Sequence, residues 1–130
     1  MIALDTNVLV RVVTHDDPRQ TQAAARLIDS HPVYLSKTVL FETEWVLSYS
    51  YGLNRNTILE TFQKLLGLPN LVVEDLQVVT SALEGYRQGL DFADALHLAS
   101  SGEATKFVTF DRDLVKRARR AEGFIEVQLA

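Results

Sequence analysis

Phe107-Val108-Thr109-Phe110-Asp111-Arg112-Asp113-Leu114-Val115-Lys116-Arg117-Ala118-Arg119-Arg120 carries the pattern that decides the fold. Its first four residues are β-branched or aromatic, which suits a strand. They are apolar on both faces, as in a parallel sheet covered by helices on each side. An acid, Asp111, ends the run. A helical pattern then extends from about Arg112 to Ala121, before Gly123.

The same alternation repeats outward along the chain. Ile2-Ala3-Leu4, Val33-Tyr34-Leu35, Leu71-Val72-Val73 and Phe124-Ile125-Glu126-Val127 read as further strands. Helical patterns lie between them. One opens at Asp17-Pro18 and runs to about Asp29, with Pro18 suited to the first turn. A second, capped by Ser36 or Thr38, runs to about Tyr51 and stops before Gly52. A third, capped by Asn54 or Asn56, ends at Gly67. A fourth runs from Asp75 to about Gln88, and a fifth from Ala93 to Ser101. Gly67-Leu68-Pro69-Asn70 reads as a turn. Five strands alternating with helices imply an α/β domain with a mostly parallel sheet. No repeat, low-complexity tract or linker divides the chain, so residues 1–130 are expected to form a single domain.

Composition narrows the function classes. Hydrophobic residues make up 47% of the 130 and charged residues 23%, an ordinary globular balance. A chain this long buries about two-thirds of its unfolded surface and needs no disulfides. It has no cysteine, which fits the cytoplasm. No signal peptide is expected, because no basic start precedes a long apolar stretch. No apolar run reaches the length of a membrane span. The net charge of −4 argues against a simple electrostatic nucleic-acid binder.

Four carboxylates are hard to explain as ordinary surface residues. Asp5 follows the first strand and Asp111 follows a later one, at the sheet edge where open parallel sheets build their sites. Glu42 lies mid-helix among Val39, Trp45 and Val46, with Tyr49 one turn further, so it is expected on an apolar face. Asp94 shares a helix face with Asp91 and Leu98. Any one of these acids has a plain structural role open to it: Asp5 and Asp111 as helix N-caps, Asp94 in a favourable first turn. Glu42 is too deep in its helix to cap it. Together they suggest a cluster that repels itself unless a cation neutralises it. Hard divalent ions such as Mg²⁺ or Mn²⁺ prefer oxygen ligands, and they promote phosphodiester hydrolysis.

These stretches also resemble a known family. Ala3-Leu4-Asp5-Thr6-Asn7-Val8-Leu9 is similar to the opening of PIN-domain nucleases. Glu42-Thr43-Glu44-Trp45-Val46-Leu47, then Asp91-Phe92-Ala93-Asp94-Ala95-Leu96-His97-Leu98-Ala99, then Val108-Thr109-Phe110-Asp111-Arg112-Asp113-Leu114 resemble the family's later acidic segments, in family order. The wording is most similar to VapC-type toxins. The resemblance implies a three-layer α/β/α fold around a central five-stranded sheet. It implies an endoribonuclease that uses one or two Mg²⁺ or Mn²⁺ ions and a metal-activated water. The acidic quartet would be Asp5, Glu42, Asp94 and Asp111, with Asp91 and Asp113 as outer members. Either Asp111 or Asp113 fits the place nearest the metal. Thr6, Asn7 and Thr109 would orient the carboxylates. His97, three residues from Asp94, is read as structural or partner-facing. The resemblance further implies a homodimer and a small inhibitory antitoxin.

The charge balance is compatible with this picture. The four acids together carry −4, the net charge of the whole chain, and two divalent ions would cancel them. Phosphate contacts are then expected from a local patch. Arg112, Lys116, Arg117, Arg119 and Arg120 form the dense basic cluster; Arg112 and Lys116 lie nearest the acids, and Lys37 follows the second strand. Phe41, Trp45, Tyr49 and Tyr51 are more aromatic area than one helix face can bury, and with Ile58, Leu59, Phe62, Leu65 and Leu66 of the next helix they suggest protein contacts, although most of these side chains are expected to form a core helix pair. Two rival readings are a catalytically silent PIN-like binding module and a receiver-type phosphoacceptor domain. The first would usually have lost an acid. The second needs an acidic pair after the first strand and a late lysine, whereas Asp16-Asp17 follow a helix.

Overall fold

Every strand expected from the sequence forms, and helices separate them. The computed structural model describes residues 1–130 and divides into two units, Met1–Leu76 and Gln77–Ala130. The chain is thus α/β, as its pattern implies.

The N-terminal unit runs β1 (Ile2–Ala3), α1 (Thr6–Thr14), α2 (Pro18–Ser30), β2 (Val33–Leu35), α3 (Lys37–Tyr49), α4 (Arg55–Leu66) and β3 (Leu71–Val73). Its strands form a parallel sheet in the order β1-β2-β3. Ile2 pairs with Val33, and Val33 with Leu71. The central strand has paired edges on both sides, and Val33 and Leu35 are fully buried. Leu9, Val10, Ala24, Ile28, Leu40, Leu47, Ile58 and Phe62 complete the core of this unit. Local chemistry sets the helix starts. Asp17 accepts the Gln20 N–H at 3.1 Å, with Pro18 following. Ser36 rather than Thr38 caps α3, accepting the Val39 N–H at 3.3 Å. Asn54 rather than Asn56 caps α4, accepting the Thr57 N–H at 2.8 Å.

The C-terminal unit holds α5 (which begins at Leu76 and runs to Arg87), α6 (Phe92–Ser100), β4 (Lys106–Thr109), α7 (Arg112–Arg120) and β5 (Glu126–Leu129). β4 and β5 pair in parallel, Lys106 with Glu126 through Thr109 with Leu129. Helix α7 makes the crossover and packs on both strands, burying Leu114 and Val115. Between α5 and α6 the chain turns tightly, and Tyr86 meets Phe92 edge to face. Gly85 is required there. A Cβ at that position would sit 2.7 Å from the Phe124 ring and 3.1 Å from Leu90.

Three expectations need adjustment. The five strands pair as a three-stranded and a two-stranded parallel sheet, where one five-stranded sheet was expected. The last strand begins two residues late, because Phe124 packs against Gly85 before the ladder starts. A seventh helix, α1, follows Asp5, where a helical pattern is expected without definite bounds. No helix is long and apolar enough to cross a membrane.

Candidate active site

The carboxyl edge of the N-terminal sheet gathers charge. Asp5 leaves β1 in extended conformation and caps α1, accepting the Thr6 N–H at 2.8 Å. Its side chain is exposed. After β3, Glu74 accepts the Lys37 backbone N–H at 2.9 Å and so places an acid at the N-terminus of α3. Asp75 takes the left-handed conformation, which short polar side chains tolerate, and pairs with the Lys37 ammonium at 2.8 Å. That hydrogen bond raises the Lys37 pKa. The ammonium put forward from sequence as an RNA contact is therefore already engaged. Thr6 is buried directly after Asp5. Asn7 is exposed and lines a groove with Arg11 and Gln20, between α1 and α2.

Glu42 is not on a buried apolar face. The buried side of α3 carries Leu40, Thr43 and Leu47. Glu42 is exposed, and its apolar neighbours Phe41, Trp45 and Tyr49 are exposed with it. The expected core helix pair holds for Ile58, Leu59, Phe62 and Leu65 of α4, all buried. It does not hold for the aromatic residues of α3. Tyr51 instead bridges a polar network. Its hydroxyl accepts from Arg11 at 3.0 Å and donates to Asp16, which lowers the Asp16 pKa.

In the C-terminal unit the acids act on one another. Asp91 precedes α6 without making a side-chain cap. Asp94 lies in the first turn, partly buried. Burial raises the Asp94 pKa, and the charges of Asp91 and Asp111 raise it further. Asp111 follows β4 and caps α7; its Oδ1 accepts the N–H groups of Asp113 at 2.9 Å and Leu114 at 3.1 Å. The Thr109 hydroxyl accepts the Asp111 N–H at 3.0 Å.

Two further groups belong to this neighbourhood. His97 and Arg117 both lower the Asp94 pKa, opposing the acids. His97 is exposed on α6. Its offset of three residues from Asp94 is close to one helical turn, so the two side chains share a face. Arg117 lies on α7 with Arg112, Lys116, Arg119 and Arg120, all exposed. Six positions separate it from Asp111 in sequence, and only the fold of this unit shows its effect on Asp94.

The donor set is all oxygen, which suits a hard divalent cation. No three carboxylate or imidazole side chains gather around one point. The fit therefore rests on Asp94. Its neighbours disfavour its charged form, and a cation would reverse that balance.

The family profile described as the PIN domain matches residues 2–120. Among solved structures, the chain is similar to the crystal structure of VapC20 from Mycobacterium tuberculosis, described as a sarcin-ricin loop cleaving toxin. The identity is 25%, the match covers 98% of this chain and 99% of that one, and the TM-score is 0.45. No match was found among curated proteins.

Proposed function

The chain belongs to the PIN-domain family, and from that premise we propose that it is a Mg²⁺- or Mn²⁺-dependent endoribonuclease, the toxin of a toxin–antitoxin pair. The observation that carries this reading is the opposition at Asp94. Asp91 and Asp111, from different elements, both press their charge on a partly buried carboxyl at the start of α6. Such an arrangement persists in a functional site more readily than in a merely structural one.

The proposed acids are Asp5, Glu42, Asp94 and Asp111, with Asp91 and Asp113 outside them. These carboxylates would hold one or two ions. When bound, a divalent ion acidifies water and offsets the charge of a phosphodiester under in-line attack. The chain's own part is to fix the ligands. Asp5 is oriented by the N-terminus of α1, and Asp111 by the N-terminus of α7 and by Thr109. Arg112 and Lys116, exposed on α7, would contact RNA phosphates. A homodimer, a small inhibitory antitoxin and a cytoplasmic location complete the proposal. Its grounds for the toxin role are the four acidic segments and their VapC-like wording.

The test uses cellular RNA, purified protein free of any copurified partner, and Mn²⁺ or Mg²⁺. Discrete cleavage is expected, and EDTA is expected to stop it. Asp5→Asn keeps the capping oxygen and should fold as the parent does while losing at least about 100-fold in rate. Asp5→Ala should be inactive and also up to about 1 kcal/mol less stable. Cleavage that survives EDTA and Asp5→Asn alike would overturn the reading.

A further inference from the structure

Phe110 is the most exposed large apolar side chain of the protein, at 89%, and it stands directly before a proposed metal ligand, Asp111. The strand explains its direction. Side chains of β4 alternate between two faces; Lys106 and Val108 are exposed, whereas Phe107 and Thr109 are half-buried. The alternation carries one residue past the strand, so Phe110 points outward with Lys106 and Val108. The backbone after the ring is held in place. The Thr109 hydroxyl accepts the Asp111 N–H at 3.0 Å, and Asp111 Oδ1 accepts the N–H groups of Asp113 and Leu114. Cations follow at once. Arg112 and Lys116 are exposed on α7, and neither joins an ion pair.

We propose that Phe110 stacks on an unpaired base of the RNA beside the phosphodiester that is cut, while Arg112 takes an adjoining phosphate. The inference rests on the ribonuclease reading above and adds which side chain grips a base and which form of RNA is bound. Consecutive Cα atoms lie about 3.8 Å apart, so a phosphodiester held for cleavage at Asp111 brings a flanking base within reach of the neighbouring ring. Every base has a flat π-face, so an aromatic ring captures it with little regard to sequence, provided the base is not already paired and stacked. The backbone under the ring is ordered before any ligand arrives, which lowers the entropic cost of capture.

One exposed aromatic side chain is ordinary on a protein surface. The place of this one is not, between an acid proposed for catalysis and cations that no acid holds. In RNA a phosphate adjoins every base, so a ring next to free cations matches both halves of a nucleotide. A protein partner fits less well. A stable interface covers about 800 Å² on each side. One of that size centred on Phe110 would also enclose the exposed charges of Arg112, Asp113 and Lys116 and strip them of water.

The Asp5→Asn chain, in Mg²⁺, is titrated with a short single-stranded RNA that the parent cuts at a mapped position. The RNA carries an end label and one 2-aminopurine, placed in turn at successive positions across the cut. Label anisotropy reports binding, and 2-aminopurine emission reports stacking. Quenching is expected next to the cut and not several nucleotides away, and a duplex of the same sequence should bind more weakly. In this background Phe110→Ala and Phe110→Leu should each weaken binding about tenfold and abolish the quenching, whereas Phe110→Tyr and Phe110→Trp should retain both. Leucine is apolar but has no ring face, so it separates stacking from plain apolar contact. Circular dichroism melts verify that each variant is folded. Unweakened binding by Phe110→Leu, or quenching that survives Phe110→Ala, would overturn the stacking and leave the ribonuclease reading standing. Absence of both binding and Mn²⁺-dependent cleavage in the parent would overturn both. A sedimenting dimer that Phe110→Ala dissociates, with RNA binding unchanged, would assign the ring to a second copy and overturn the proposal.

Discussion

The Thr109 hydroxyl accepts the backbone N–H of Asp111 at 3.0 Å, and the carboxylate of Asp111 in turn accepts from the first turn of α7. The end of β4 and the start of α7 are therefore locked around one acid. Groups that orient a metal ligand typically account for about 10- to 100-fold in activity. Thr109→Val should lower kcat/KM by about tenfold, and Thr109→Ser should recover it. Cleavage kinetics with a short RNA check this. Full activity in the valine variant would free Thr109 from any positioning role.

Asp94 makes stability depend on pH in a set direction. Burial, then the charges of Asp91 and Asp111, raise its pKa in the folded chain. The folded state therefore holds this proton more tightly than the unfolded state does. The stabilisation is fully present below the unfolded pKa and is lost as pH rises through the raised folded value. Near neutrality without metal, Asp94→Asn should melt above the parent. The difference should shrink toward pH 4, close to the ordinary aspartate value of about 3.9. Added Mn²⁺ should raise the Tm of the parent and not that of the variant. Melts between pH 4 and 8, with and without EDTA, decide it; equal metal shifts in both chains would remove Asp94 from the ligand set.

Lys116 and Lys37 both lie on helices that follow a strand, yet their surroundings differ. Lys116 is exposed on α7, whereas Asp75 holds Lys37 at 2.8 Å. Lys116→Gln should flatten the salt dependence of RNA binding by about one phosphate contact. Lys37→Gln should change the slope less. Binding titrations across a series of salt concentrations separate the two, and the opposite order would move the phosphate path to α3.

Much of this architecture was legible because it is written locally. Asp17-Pro18, Ser36 and Asn54 announce their helices through capping, which involves neighbours only. The apolar runs at residues 33–35 and 71–73 are strands, and Asp5 and Asp111 stand at the ends of their apolar runs, separated by one residue from the close of β1 and β4. Helix α1 was harder to bound, because Val8, Val10, Val12 and Val13 are residues a strand would also use. The side of α3 facing water was not legible. Periodicity separates two faces but does not say which one is covered, and here Leu40, Thr43 and Leu47 won the interior over Trp45. Strand pairing is non-local, so neither the division into two sheets nor the influence of Arg117 on Asp94 could be read from neighbours in the chain.

The pairing of β4 with β5 bears on how the end of the chain can be handled. Lys106–Thr109 has its strand partner in Glu126–Leu129, and the Ala130 N–H closes the ladder on the Thr109 carbonyl at 2.9 Å. Residues 126–130 are therefore held in the sheet. Trimming them would bare the backbone edge of β4, the kind of open edge that recruits other chains into aggregates. It would also loosen the strand that delivers Asp111. Reporter tags and insertions are better placed at the exposed turn around Leu68 and Pro69 than within Glu126–Leu129.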